Sequence, residues 1–134
     1  MSLMQLTYAS RPFGFEAAML AGILLDARRC NARDGISGAL ICRADLYLQL
    51  LEGPEDMVSA AYHRISADDR HMEIRLLTHR TVTDRLFPTW TMRDDPARSW
   101  LWTKTEVDGG ALARASEEDI LGVFRRIAVE PSAP

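Results

Sequence analysis

Apolar and polar positions alternate with a period of two in some stretches and recur every three or four residues in others, and these switches divide the chain into elements. Leu3 to Ser10 place Met4, Leu6 and Tyr8 on one face and Leu3, Gln5 and Thr7 on the other, which predicts a strand. After a loop containing Pro12 and Gly14, Ala17, Leu20, Ile23, Leu24, Ala27 and Cys30 form one stripe. That stripe predicts a helix from near Phe15 or Glu16 to about Arg33, with Asp26, Arg29 and Arg33 on its solvated side. Asp34-Gly35 turns into a second strand, Ile36 to Cys42, and Arg43-Ala44-Asp45 makes a hairpin into a third, within Asp45 to Pro54.

Pro54 suits the first position of a second helix, and Glu55 and Asp56 complement its N-terminal dipole. Its stripe is Met57, Val58, Ala61, Tyr62 and Ile65, with His63 facing solvent. A fourth strand is predicted from Met72 to about Val82. Pro88 rules out a central strand after it but permits a short edge strand from Thr89, with Trp90 and Met92 on one face. Asp94 to Gly110 reads as an irregular linker. A last helix, Ser116 to Ala128, opens with a capping box to Asp119 and carries Ile120, Leu121, Val123, Phe124 and Ile127 as its stripe. A disordered tail is expected over residues 129–134.

This order predicts an α+β fold, the split βαβ arrangement of ferredoxin-like domains. It is a βαββαβ sheet with a short extra strand, two helices on one face, and a C-terminal helical extension. The first and third strands are expected as parallel neighbours at its centre, bringing Tyr8 beside Gln49 beneath a slot between the helices into which Asn31 projects. The other sheet face, carrying Leu46, Leu48 and Leu50, is the expected seat of the C-terminal helix.

At 134 residues and 47% hydrophobic content the chain suits one core. A net charge of −3 with no basic run argues against a nucleic-acid partner. Cys30 and Cys42 form neither a disulfide framework nor a zinc motif, so buried thiols in a reducing cytoplasm are expected. No stretch approaches the roughly 18 apolar residues of a membrane span, and no targeting segment opens the chain, so a soluble cytoplasmic protein is expected.

Candidate chemistry lies in polar residues at apolar positions. In the third strand Leu46, Leu48 and Leu50 point one way and Tyr47, Gln49 and Leu51 the other, so Gln49 sits at the middle of a strand apolar on both faces. A buried amide without partners costs roughly 1–3 kcal/mol, so Gln49 either bonds neighbouring backbone or faces a bound heterocycle. Tyr8 is either a core tyrosine with a backbone partner or part of the same site. Asn31 falls within the first helix's apolar stripe and either caps its last turn or serves a ligand. Arg64 and Asp68, four apart, are positioned for an ion pair on one edge of the second helix.

Five ordered motifs resemble the BLUF family of FAD-using blue-light sensors over about Leu3 to Met92. They are Leu6-Thr7-Tyr8-Ala9-Ser10, the run from Asn31 to Leu40, the run from Tyr47 to Pro54, the run from Arg64 to His71, and Phe87-Pro88-Thr89-Trp90-Thr91-Met92. The resemblance implies a flavin-binding domain over residues 1–93, a linker over 94–115, the helix over 116–128 and the tail. It implies a flavin ring held toward Tyr8 and Gln49, with Asn31 on its carbonyl and imide edge and Ile23 and Ile65 sandwiching it. By the same resemblance Tyr47 lines the ring, and Arg64 with Asp68, or Arg70 and His71, serve its second carbonyl. Where such proteins often carry His or Asn before the asparagine, this chain has Cys30.

The mechanism so implied is light-driven electron and proton transfer from Tyr8 by way of Gln49, leaving the amide rotated or tautomerised. The covalent structure of the non-covalently bound FAD is unchanged, and Trp90 and Met92 relay the change. The expected function is a photoreceptor, not an enzyme, that signals to a separate output protein and forms a homo-oligomer. The alternatives are a small acylphosphatase-like hydrolase on the same fold, weakened by the lack of a glycine-rich phosphate loop, and a non-flavin interaction module.

Overall fold

A strand apolar on both faces has to lie inside a sheet that is covered on both sides, and β3, Leu46–Gly53, is buried along its whole length. The computed structural model describes residues 3–13 and 17–130. Ahead of β3 come β1 (Leu3–Pro12), α1 (Ala17–Asp34) and β2 (Ser37–Arg43). After it come α2 (Glu55–Ser66), β4 (His71–Val82) and β5 (Arg93–Pro96), then the short helices α3 (Lys104–Asp108) and α4 (Ala111–Arg114), and α5 (Glu117–Val129).

The five strands lie in the order β4-β1-β3-β2-β5, the ferredoxin-like arrangement with β5 added at the β2 edge. β1 and β3 are central neighbours with Tyr8 opposite Gln49, but they run antiparallel, against the parallel pairing expected from the sequence. The reason is topological. The α1 crossover returns β2 parallel to β1 with a gap between them, and the hairpin then sends β3 into that gap in the reverse direction. Close packing of this hairpin leaves no room at Gly38, where a Cβ would lie 1.9 Å from the Leu50 carbonyl oxygen.

Each sheet face has its own core. Met4, Leu6, Tyr8, Tyr47 and Leu51 pack under Ile23 and Leu24 of α1 and Val58 and Ala61 of α2. On the other side Leu46, Leu48 and Leu50 meet Ile120, Leu121, Phe124 and Ile127 of α5, where the sequence places the C-terminal stripe. Each such large apolar side chain contributes roughly 1.5–3 kcal/mol when fully buried. Ser116 and Asp119 form the capping box that starts α5.

Three boundaries differ from the sequence reading. The fifth strand begins at Arg93, not Thr89, because the chain around Pro88 makes a turn in which the Trp90 N–H reaches the Phe87 carbonyl, and pairing with β2 starts only beyond it. Residues 94–115, read as a linker, hold most of β5 and the helices α3 and α4. The Thr103–Glu106 capping box was legible there but belongs to a helix too short to show a stripe. Val129 completes α5 and Glu130 is tied down by Arg93 and Arg98, so the proposed tail does not begin at 129. Residues 131–134 and the predicted helix start at Phe15 or Glu16 lie outside the described residues.

Candidate functional site

Between α1 and α2, above β3, lies a cavity of about 270 Å³. α1 supplies Ile23, Asp26, Cys30 and Asn31, β3 supplies Gln49 and Leu51, and α2 supplies Ala61, Arg64 and Ile65. Asp68 and Arg70, on the turn into β4, and His71, its first residue, complete the wall. The floor is polar only where the strand pattern puts an amide among leucines. Ile23 and Ile65 stand on the two helices that flank it.

The Tyr8 hydroxyl donates to Gln49 Oε1. Gln49 Nε2 points to Met92 Sδ at 3.2 Å, a weak acceptor for an amide N–H. The two residues are paired across β1 and β3, and β4 carries one extra residue opposite the step from Thr7 to Tyr8, a bulge that re-aims side chains locally. Burial, reinforced by the charges of Tyr62, Asp68 and Tyr47, pushes the Tyr8 phenol well above its usual ionisation. Tyr8 is a neutral proton donor at any physiological pH. Tyr8 and Tyr47 sit one layer behind the cavity wall, against His71 at ring-centroid distances of 5.9 and 5.2 Å.

Asn31 does not cap its helix. Its Nδ2 donates to the Thr91 carbonyl at 2.7 Å, tying α1 to the segment before β5. Arg28 Nε reaches the Met92 carbonyl at 3.2 Å and the Gly38 N–H reaches that of Trp90 at 3.0 Å, so residues 90–92 are pinned by three hydrogen bonds, two from α1 and one from β2. Met92 is buried beside Gln49 while Trp90 is 40% exposed, and both precede β5, so the strand face they were expected to share does not form there.

Arg64 and Asp68 do not pair with each other. α2 ends at Ser66, which takes Asp68 off the helix. Arg64 instead lies 3.5 Å from Asp34, and Asp68 pairs with Arg70 at 2.6 Å. The hydrogen bond from Arg70 holds the Asp68 carboxyl below its usual range. Arg70 also reaches Asp26 at 3.1 Å, closing an ion-pair strap from the turn to α1. Sequence reasoning placed Asp26 and Arg29 on the solvated side, yet both line the cavity. Asp26 lies three residues from Ile23, a spacing that already sets it beside the apolar stripe. His71 shares a 2.8 Å hydrogen bond with Ser10, and burial pulls its imidazole down to about 4, so it is neutral at pH 7.

The arrangement suits a flat, polar-edged heterocycle: two aliphatic residues on facing helices, amides at floor and wall, and a charged rim. Cys42 lies elsewhere, its thiol pushed up to about 11 by burial and so unreactive.

Comparison with known proteins gives the family and the fold. The family model described as "BLUF: Sensors of blue-light using FAD" matches residues 3–93. The photoactivated adenylate cyclase subunit beta of Euglena gracilis is 36% identical over 95 residues, which is 68% of this chain but 11% of that protein. The chain thus spans about a tenth of the length of the curated relatives it matches. Among solved structures, the dark state of the BLUF protein BlrB superimposes with a TM-score of 0.78 at 31% identity, over 95% of this chain and 96% of that one. The ground state of BlsA shares the fold, with a TM-score of 0.81 at 21% identity, over 100% and 92% of the two chains. With its motifs, sheet order and Tyr-Gln pair all in place, the chain belongs to the BLUF family of blue-light sensors.

Proposed function

We propose that this chain binds FAD non-covalently between α1 and α2 and uses the Tyr8–Gln49 pair as its light switch. The carrying observation is the Tyr8 hydrogen bond to an amide that also forms part of the cavity floor. A cavity of about 270 Å³ is near the lower end of small-molecule sites, roughly 300–1,000 Å³, and suits a tricyclic ring with the charged remainder of a dinucleotide at the rim.

In this reading Ile23 and Ile65 clasp the ring. Thr91 occupies one donor of Asn31, whose other donor and acceptor serve the carbonyl and imide edge. Arg64, Asp68, Arg70 and His71 set the polarity of the opposite edge, and Tyr47 backs His71 and fixes its ring. When bound, the flavin supplies a blue-absorbing oxidant. Tyr8 holds its proton on the hydroxyl oxygen and would release it to Gln49 Oε1 only as its electron leaves to that oxidant, electron and proton both returning to Tyr8 afterwards. The Gln49 amide, held on its other side by a thioether, a weak acceptor, can turn or change tautomer. Met92 senses that change directly, and Trp90 moves with the segment they share.

We further infer a cytoplasmic, self-associating sensor that signals to an output protein, with the sheet through β5 and its helices α1 and α2 as the sensory unit, the segment carrying α3 and α4 as connection and α5 as covering helix. Among the described residues no helix is long and apolar enough to cross a membrane. The relative in Euglena gracilis is named as a photoactivated cyclase, which supports light control of an attached or separate output. Reconstitution tests the binding reading: purified protein mixed with FAD should turn yellow and retain the flavin through gel filtration. Ile65→Glu should abolish retention while leaving the far-UV circular dichroism unchanged. Retention in that variant equal to wild type would contradict the proposed site.

A further inference from the structure

Met92 and Arg93 are consecutive, yet they belong to opposite faces of the sheet. Met92 packs among Leu40, Tyr47 and Leu51 and takes the Gln49 amide on its sulfur. Arg93, the first residue of β5, turns to the α5 side and is 3% exposed. Its Nε lies 2.8 Å from Asp95 Oδ2, and its Nη2 donates to the Glu130 carbonyl at 2.8 Å, beyond the last turn of α5. Asp95 is fully buried, and Arg98 joins it to the Glu130 carboxylate through contacts of 3.1 and 3.2 Å.

We infer that Arg93 is a positioning residue that couples the Gln49–Met92 contact to the end of α5. This rests on the Tyr8–Gln49 switch proposed above. A buried arginine and carboxylate cannot separate without leaving a desolvated charge unpaired, so Arg93 and Asp95 move together. If Gln49 releases or re-engages the Met92 sulfur, the peptide that joins Met92 to Arg93 shifts. The guanidinium then carries that shift through the sheet to the Glu130 carbonyl. Packed elements respond to small shifts by changing between discrete arrangements, so the expected result is a loosened last turn of α5. A hydrophobic residue at position 93 would cover the same apolar surface, but it would not tie the strand to a main-chain carbonyl on the helix.

Hydrogen exchange over Ile127 to Glu130, in FAD-loaded protein in the dark and under blue light, tests the coupling. In wild type, light should speed exchange there by about fivefold or more, the lower range of allosteric couplings. Arg93→Gln should retain the light-induced absorption shift but show equal exchange in dark and light. Arg98→Gln also loosens Glu130 but leaves the Arg93 link, so it should raise exchange in both states and keep the difference. Should Arg93→Gln fail to hold flavin, Arg93→Lys reads out the same way, since it keeps the charge beside Asp95 without the fork that reaches Glu130. A wild-type light–dark difference in the Arg93 variants, or an absorption shift in wild type without any exchange difference, would overturn the coupling. An absent absorption shift in wild type would overturn the switch reading instead.

Discussion

Tyr8 and Gln49 stand directly opposite each other across β1 and β3, and the tyrosine hydroxyl donates to the amide oxygen within the buried core. A neutral phenol and a neutral amide make an ordinary hydrogen bond at rest. The pair is notable for its other end, because Gln49 Nε2 rests on the Met92 sulfur while the amide also borders the cavity. One side chain thus touches the proton donor, the ligand space and the chain leading to β5.

Tyr8→Phe removes the hydroxyl and keeps the ring. The variant should retain FAD, because Tyr8 lies behind the cavity wall, and should lose the reversible light-induced shift. Titration with FAD followed by light-minus-dark spectra checks both. Stability should fall by about 1–3 kcal/mol, since Gln49 Oε1 is left buried without a donor.

Gln49→Leu keeps the volume and deletes the amide. It should bind flavin and fail to switch, since nothing rotatable then separates Tyr8, the ligand space and Met92. The same spectra decide it, and a full reversible shift in this variant would remove Gln49 from the mechanism.

His71 gives the fold a pH dependence of known sign. Burial lowers its pKa from 6.5 to about 4, so between those values the unfolded chain binds a proton that the folded chain does not. The stability this protects is fully present above pH 6.5 and is lost as the pH falls toward 4. Urea melts across that window should show the decline, and His71→Gln should flatten it. Asp68, whose pKa is lowered mainly by Arg70, loses its contribution only below the usual carboxylate range, so the two windows separate.

Glu52 is fully buried and its carboxylate accepts the N–H groups of Leu86 and Phe87 at 2.9 and 2.6 Å. It holds Phe87 against Phe124 of α5, ring centroids 6.5 Å apart. Glu52→Gln turns one acceptor into a donor facing a donor, and the melt midpoint should fall by an amount equivalent to about 1–3 kcal/mol.

The parts of this architecture that were legible in the sequence share a cause: long elements with one buried face. The α5 stripe and the two-sided β3 follow from periodicity alone, and the slot between α1 and α2 from the order of the elements. Alternation is the same whichever way a strand runs, so it placed Tyr8 beside Gln49 without the pairing sense; that sense lay in the order of connections, where a helical crossover followed by a hairpin makes β1 and β3 antiparallel, and it was misread. β5 was displaced because Arg93 and Asp95 look like surface residues until an ion pair buries them. Arg64 and Asp68 were matched by helical spacing, but α2 ends before it can apply. Asp26 entered the cavity wall from the flank of a stripe, where a charged residue reads as solvated.

The most direct measurement of the central claim is the absorption spectrum of the FAD-loaded protein before, during and after blue light. A working Tyr8–Gln49 switch gives a small red shift of the flavin band that appears on illumination, decays in the dark, recurs on repeated cycles and is absent in Tyr8→Phe. A wild-type protein that binds FAD but whose band does not move, or a Tyr8→Phe variant that shifts as wild type does, would contradict it.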